Sequence, residues 1–200
     1  MRKQPRQARS KSMVRDLIEA ATRVIAEDGL EAATTARIAR RAGVSVGSLY
    51  QYFDRKEDIY LAVIEAITAR IERIIDEVME STKGETLTAF VAELLRRIWD
   101  WMEEDNGLYL RVALYWNRLD DLGYLTRLEQ KVSYALAMFL VGERASVRRD
   151  TLPVRIYVFA NAVTFNLLRY ASSPPNVIEK DELFTSLVDL GEAYLHDAPS

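Results

Sequence analysis

The chain contains no cysteine, which excludes disulfides, thiolate nucleophiles and cysteine-bound metals and suits a reducing cytoplasm. Histidine is almost as scarce, with His196 near the C-terminus the only one. Neither a zinc site nor a histidine-based triad can be built around a single imidazole, so no metal, no cofactor and no catalytic residue is expected. The acidic run Glu103-Glu104-Asp105 reads as a helix end and solvated face, and the chain is not expected to be an enzyme. Long apolar stretches are missing too. The longest, Tyr134 to Val141, falls far short of the ~20 residues that cross a bilayer. No apolar core follows the basic N-terminus, so neither a secretion signal nor a membrane partner is expected.

What the chain does have is 49% hydrophobic and 28% charged residues over 200 positions, enough apolar material for a substantial core. Its net charge of −3 conceals an asymmetry: residues 1–56 carry a net of +6 and residues 57–200 a net of −9. A basic head on an acidic body suits contact with a polyanion through the head alone. Taken by itself, the charge is also compatible with a solvated basic tail.

Helical periodicity dominates. Residues 1–11 hold five basic residues and no acid, and read as a mobile basic arm. Val14, Leu17, Ile18, Ala21 and Ile25 then recur at helical spacing until Gly29. Thr34 is placed to cap a second helix ending near Ala42, Gly43 supplies a turn, and Ser45 caps a third helix from Val46 to Tyr52. Asp54 and Glu57 have capping-box spacing at the start of a long fourth helix. Five more helices follow, over 85–104, 108–119, 122–145, 153–170 and 181–195, separated by Lys83-Gly84, Asn106-Gly107, Asp120-Asp121, the stretch before Pro153, and Ser172-Ser173-Pro174-Pro175. The fold class is therefore all-α with about nine helices. Its divisions are an arm (1–11), a three-helix helix-turn-helix domain (12–56) and a larger helical domain (57–200).

Residues 34–56 carry the chemistry. Ile38, Ala39, Val44, Leu49 and Phe53 can form a buried seam between two short helices. Thr35, Arg37, Ser45, Val46, Ser48, Tyr50, Gln51, Tyr52 and Lys56 then face outward. Hydroxyls, amines and helix N-termini at such positions suit phosphate contacts, and Val46 is small enough to touch a thymine methyl in the major groove. The segment 29–64, with its Thr-Thr start, Ile-Ala, Ala-Gly-Val-Ser, Gly-Ser-Leu-Tyr-x-Tyr-Phe and Lys-Glu elements, resembles the DNA-binding signature of the TetR family of bacterial transcriptional regulators. By position, the resemblance implies phosphate contacts at Thr35, Tyr50, Tyr52 and Lys56. It implies groove-facing places at Ser45, Val46, Gly47, Ser48 and Gln51. Gly47 has no side chain with which to read a base and Gln51 is the only amide, so Arg37, the arm and DNA shape are expected to share in sequence preference.

The body is rich in aromatic residues, which at helical spacing serve as core or as the lining of an apolar pocket. Trp99, Met102, Tyr115, Trp116, Asn117 and Tyr134 are the main ligand-binding candidates, with Phe165 and Asn166 as secondary ones. Asn161 and Asn166 interrupt an otherwise apolar helix and call for a ligand, water or partner. The last helix shows two stripes, Leu183-Leu187-Leu190-Tyr194 and Phe184-Val188-Gly191-Leu195. One can face the body and the other a second subunit. The resemblance implies a homodimer through the last two helices, a palindromic double-stranded operator, and repression relieved by an apolar or amphipathic small-molecule effector. The alternative is a DNA-binding regulator or architectural protein governed by a protein partner, with a filled core and no effector.

Overall fold

A computed structural model describes residues 4–115, 124–142 and 150–195. Trp116, Asn117 and His196 lie outside these residues. Eight helical elements run in order: α1 (Gln4–Asp28), α2 (Thr35–Arg41), α3 (Val46–Leu49), α4 (Lys56–Ser81), α5 (Leu87–Ala113), α6 (Tyr124–Gly142), α7 (Leu152–Ser172) and α8 (Lys180–Leu195). The all-α expectation holds, and no strand occurs among the described residues. Among those residues no helix is long and apolar enough to cross a membrane.

The chain divides into two compact units. One comprises Met1–Ile67 with Glu103–Leu122, the other Thr68–Met102 with Gly123–Ser200. The sequence placed its boundary after residue 56. The division falls eleven residues later, inside α4, and the first unit takes back a later piece of chain.

In the first unit α1 buries Leu17, Ala21, Val24 and Ile25. The expected arm over 1–11 differs in the structure, because residues 4–11 form the first turns of α1. The cause is local: arginine, glutamine, lysine and alanine are good helix formers. Pro5 sits in the first turn, where its missing N–H has no intrahelical partner to lose. Gly29 ends the helix at φ 86°, a left-handed conformation that glycine adopts without strain.

α5 is broken within its length. Glu104 is extended (ψ 154°), and Asp105, Asn106 and Gly107 are left-handed. The expected breaker Asn106-Gly107 thus interrupts the helix as foreseen, and counting both pieces gives nine helices among the described residues. Beyond the break, Leu108, Val112 and Ala113 are buried. Arg23 holds Asp105 at 2.7 Å, and Arg111 Nε donates to the Ala26 carbonyl at 3.2 Å. These contacts fasten the returning segment to α1.

In the second unit Ile74, Ile75, Val78, Leu87, Phe90 and Leu136 are among the buried core residues. Phe90 of α5 stacks on Phe139 of α6, with ring centroids 4.4 Å apart. Arg127 and Lys131 of α6 pair with Glu72 (2.7 Å) and Asp76 (2.5 Å) of α4. α7 packs beside both α6 and α8. The α7–α8 approach is close: a Cβ added to Gly191 would lie 2.9 Å from the buried Phe159 ring, so α8 needs glycine there.

Candidate nucleic-acid interface

The helix pair 34–52 is assembled by its caps. Thr34 is extended (φ −78°, ψ 153°) and its side chain accepts from the Arg37 N–H at 3.3 Å. Ser45 does the same for the next helix, accepting from Ser48 N–H at 3.0 Å. Its hydroxyl also lies 2.9 Å from that of Ser48. Each cap satisfies an amide the helix cannot pair internally. Between them Gly43 turns the chain at φ 70°, with open space where a Cβ would stand, so its role is conformational. The Val44 N–H closes the turn on the Ala39 carbonyl at 2.9 Å.

Ile38, Ala39, Leu49 and Phe53 are buried, and Val44 is half-buried. The expected seam is present with that one position at its edge. The helical part of the third helix is shorter than expected: it ends at Leu49, and Tyr50, Gln51 and Tyr52 continue as turns. None of the ten predicted DNA-contacting residues is buried. Ser45, Val46, Gly47, Tyr50, Gln51 and Lys56 are exposed, while Thr35, Arg37, Ser48 and Tyr52 are partly so. All ten lie in the first unit.

The start of α4 is capped one residue away from the expected Asp54/Glu57 pair. The Asp58 carboxylate accepts from the Arg55 N–H at 2.9 Å, an acid at the third helical position reaching back to the cap. Because α4 begins at Lys56, Lys56 is its first residue and its side chain is more than half exposed.

Three features were not legible in advance. The Tyr60 hydroxyl donates to the Ala33 carbonyl at 2.6 Å and fixes the loop before α2. Burial, with Glu57 and Glu31 nearby, raises its phenol above the ordinary range. Arg41 pairs with Glu27 through two contacts of 2.5 and 2.7 Å, and the hydrogen bond from Arg41 holds the Glu27 carboxyl below its usual range. Arg37, expected to reach DNA, stands 3.6 Å from Asp28 at the end of α1. The only sequence signal for these tethers was an acidic pair, Glu27-Asp28, facing a basic stretch fewer than twenty residues on.

The described ligand-binding candidates are divided between the two units. Trp99 and Met102 belong to the second unit, Trp99 buried and Met102 half-buried. Tyr115 belongs to the first, its hydroxyl packed 3.1 Å from where a Gly29 Cβ would be. Tyr134 (58% exposed) and Phe165 (69% exposed) face outward, as does Asn166. An outward ring on a helix does not line an interior, so these three drop out as pocket residues of the single chain. Asn161 and Asn166 need no ligand either. Each donates its amide N–H to the carbonyl four residues back, at 2.8 and 2.7 Å. Phe165 instead joins Val154, Tyr157 and Val158 in an exposed apolar stripe on α7. On α8, Leu187, Gly191 and Leu195 face inward while Leu190 is exposed.

Residues 17–63 match the family model described as bacterial regulatory proteins, tetR family. The fatty acid metabolism regulator protein of Bacillus subtilis is 37% identical over 87 residues, 43% of this chain and 44% of that protein. The nucleoid occlusion factor SlmA of Mannheimia succiniciproducens is 33% identical over 111 residues, covering 47% of this chain and 50% of that one. The chain thus spans about half the length of the curated relatives it matches. Solved structures extend the likeness over the whole fold. A putative TetR-family regulator from Mesorhizobium loti superimposes with TM-score 0.71 at 20% identity, covering 94% of this chain and 96% of that one. Thermus thermophilus FadR, in complex with lauroyl-CoA, gives 0.61 at 19% identity, with 94% and 98% covered.

Proposed function

Because the chain belongs to the TetR family of bacterial transcriptional regulators, we propose that it is a homodimeric repressor whose operator grip a small apolar or amphipathic molecule releases. One observation supports this above the rest: a capped four-residue helix, seated by fully buried Leu49, leaves Val46, Gly47, Tyr50, Gln51 and Lys56 outward together. In this reading Ser45 to Ser48 enter the major groove, while Thr35, Tyr50, Tyr52 and Lys56 take phosphates. Arg37 is shared between Asp28 and the duplex. Two such heads bind half-sites roughly 34–36 Å apart.

The second head comes from a second copy docked on the exposed stripe of α7 with Leu190 of α8. A solvent-facing row of Val154, Tyr157, Val158 and Phe165 is unfavourable in a monomer, and the inward side of α8 is already filled. Phe165→Glu combined with Tyr157→Glu should yield monomers in light scattering and cut operator affinity by orders of magnitude. Wild-type protein at the monomer mass would remove this part of the reading.

The effector belongs to the second unit, around Trp99 and Met102. It has only to prefer the form that does not hold DNA, and a preference of ~10⁴-fold switches the population almost fully. Likeness to nucleoid occlusion factors over the N-terminal half favours a second reading, control by a protein partner. The two separate by experiment: DNA selected from a random pool, then released by a small molecule added alone or only by a protein.

Lys56→Ala tests the grip. It should weaken operator and unrelated DNA by the same factor and lower the salt-dependence slope by about 0.9. A change confined to one sequence would place Lys56 in base reading instead.

A further inference from the structure

Trp99 of α5 is 4% exposed. Two rings meet it edge-on: Tyr170 of α7 at 5.9 Å and 63°, and Phe184 of α8 at 5.6 Å and 81°. These contacts engage the faces and edges of the rings and leave the indole nitrogen unused. Trp99 Nε1 is buried and has no hydrogen-bond partner among the described residues. The one hydroxyl of the cluster is engaged elsewhere, donating from Tyr170 to the Ile178 carbonyl at 3.2 Å.

An indole N–H can only donate, and buried donors almost always have acceptors. What completes this site is therefore an acceptor. A lone water is a poor candidate, since a buried water needs two to four polar partners and three rings offer it a single donor. Charge narrows the choice further. The cations on this stretch of α5 are committed: Arg97 Nε to Glu93 at 2.6 Å, and Arg96 to Glu93 and Asp100, both at 2.8 Å. On this stretch of α5 a buried carboxylate would find a donor but no uncommitted arginine, and an unpaired buried charge is costly. Met102, one turn along, is half-buried.

We propose that Trp99 Nε1 is the orienting donor of the effector site in the second unit, and that the effector carries a neutral acceptor, a ketone or ester carbonyl, on an apolar body. This rests on the reading that an effector binds in that unit. The test uses full-length protein labelled with nitrogen-15, its indole signals assigned with Trp99→Phe and Trp101→Phe. Three probes of one shape are compared: 2-acetylnaphthalene, 2-ethylnaphthalene and 2-naphthoate. The ketone should move the Trp99 indole proton downfield in a saturable way, the hydrocarbon should not, and the carboxylate should bind least well. Trp99→Phe, checked for an unchanged thermal midpoint, should weaken the ketone about tenfold relative to the hydrocarbon. An indole proton that the ketone leaves unmoved overturns the proposal, as does an equal loss for ketone and hydrocarbon. A bound water seen on that proton in the unliganded protein overturns it as well. Release of operator by some other compound without any Trp99 shift would sink this inference while leaving the effector-released repressor standing. Binding of the ketone to Trp99 with no effect on DNA would instead count against the effector reading.

Discussion

Replacing Leu49 with alanine is expected to abolish measurable operator binding and to lower stability by about 2–5 kcal/mol. The helix it belongs to has four residues, and Leu49 is the buried one. A helix that short has no stability of its own; its orientation is set by what it buries. Ile38 and Ala39 of α2 are buried in the same unit, and the turn between the two helices is pinned by Val44 N–H on the Ala39 carbonyl. Removing the leucine side chain leaves a cavity and frees the one element that presents Val46 to Ser48. Leu49→Met, which nearly conserves volume, should cost under about 1.5 kcal/mol and keep DNA binding. The decisive measurement is fluorescence anisotropy with operator, well below the thermal midpoint of each variant. Full affinity in Leu49→Ala would show that α3 is not the reader.

Phe90→Ala should be the most damaging change in the second unit, at about 3–5 kcal/mol. The side chain is fully buried and stacks on Phe139 across the α5–α6 contact, with ring planes 21° apart. The substitution loses the transfer energy of the ring, the stacking with Phe139 and the packing of the vacated space. In a chain of this size each kcal/mol lowers the midpoint by roughly 2–4 °C, so the expected drop is large in a thermal melt. Phe90→Leu should retain most of the stability. A loss under about 1 kcal/mol in Phe90→Ala would mean that α5 and α6 are not held by this stack.

Legibility from sequence followed the range of the interactions. Thr34 and Ser45 announced their helices because a cap acts over three residues. Gly29, Gly43 and Gly107 announced turns because a left-handed residue is a local property, and all three have positive φ. The seam Ile38, Ala39, Leu49 and Phe53 followed from periodicity. Contacts across the chain were hidden. Nothing local says that Arg23 meets Asp105 or that Tyr60 reaches the Ala33 carbonyl. The asparagines of α7 stand out in sequence as polar groups in an apolar helix, yet each donates to a carbonyl of its own helix. Tyr134 and Phe165 were read as lining because aromatic residues are usually inside; periodicity alone cannot say which apolar face of an all-round apolar helix is covered.

The return of residues 103–115 to α1 bears on how the protein is made. The first 67 residues contain the whole reading head in sequence, but the first unit also includes buried Leu108, Val112 and Ala113. On the ribosome, the head cannot reach its final packing until Tyr115 has cleared the exit tunnel, by which time all of α4 and α5 have been synthesised. A genetic fragment cut at Ile67 would bare the α1 surface that this later segment covers. A swap that grafts this head onto another regulator would have to carry two separate pieces of chain.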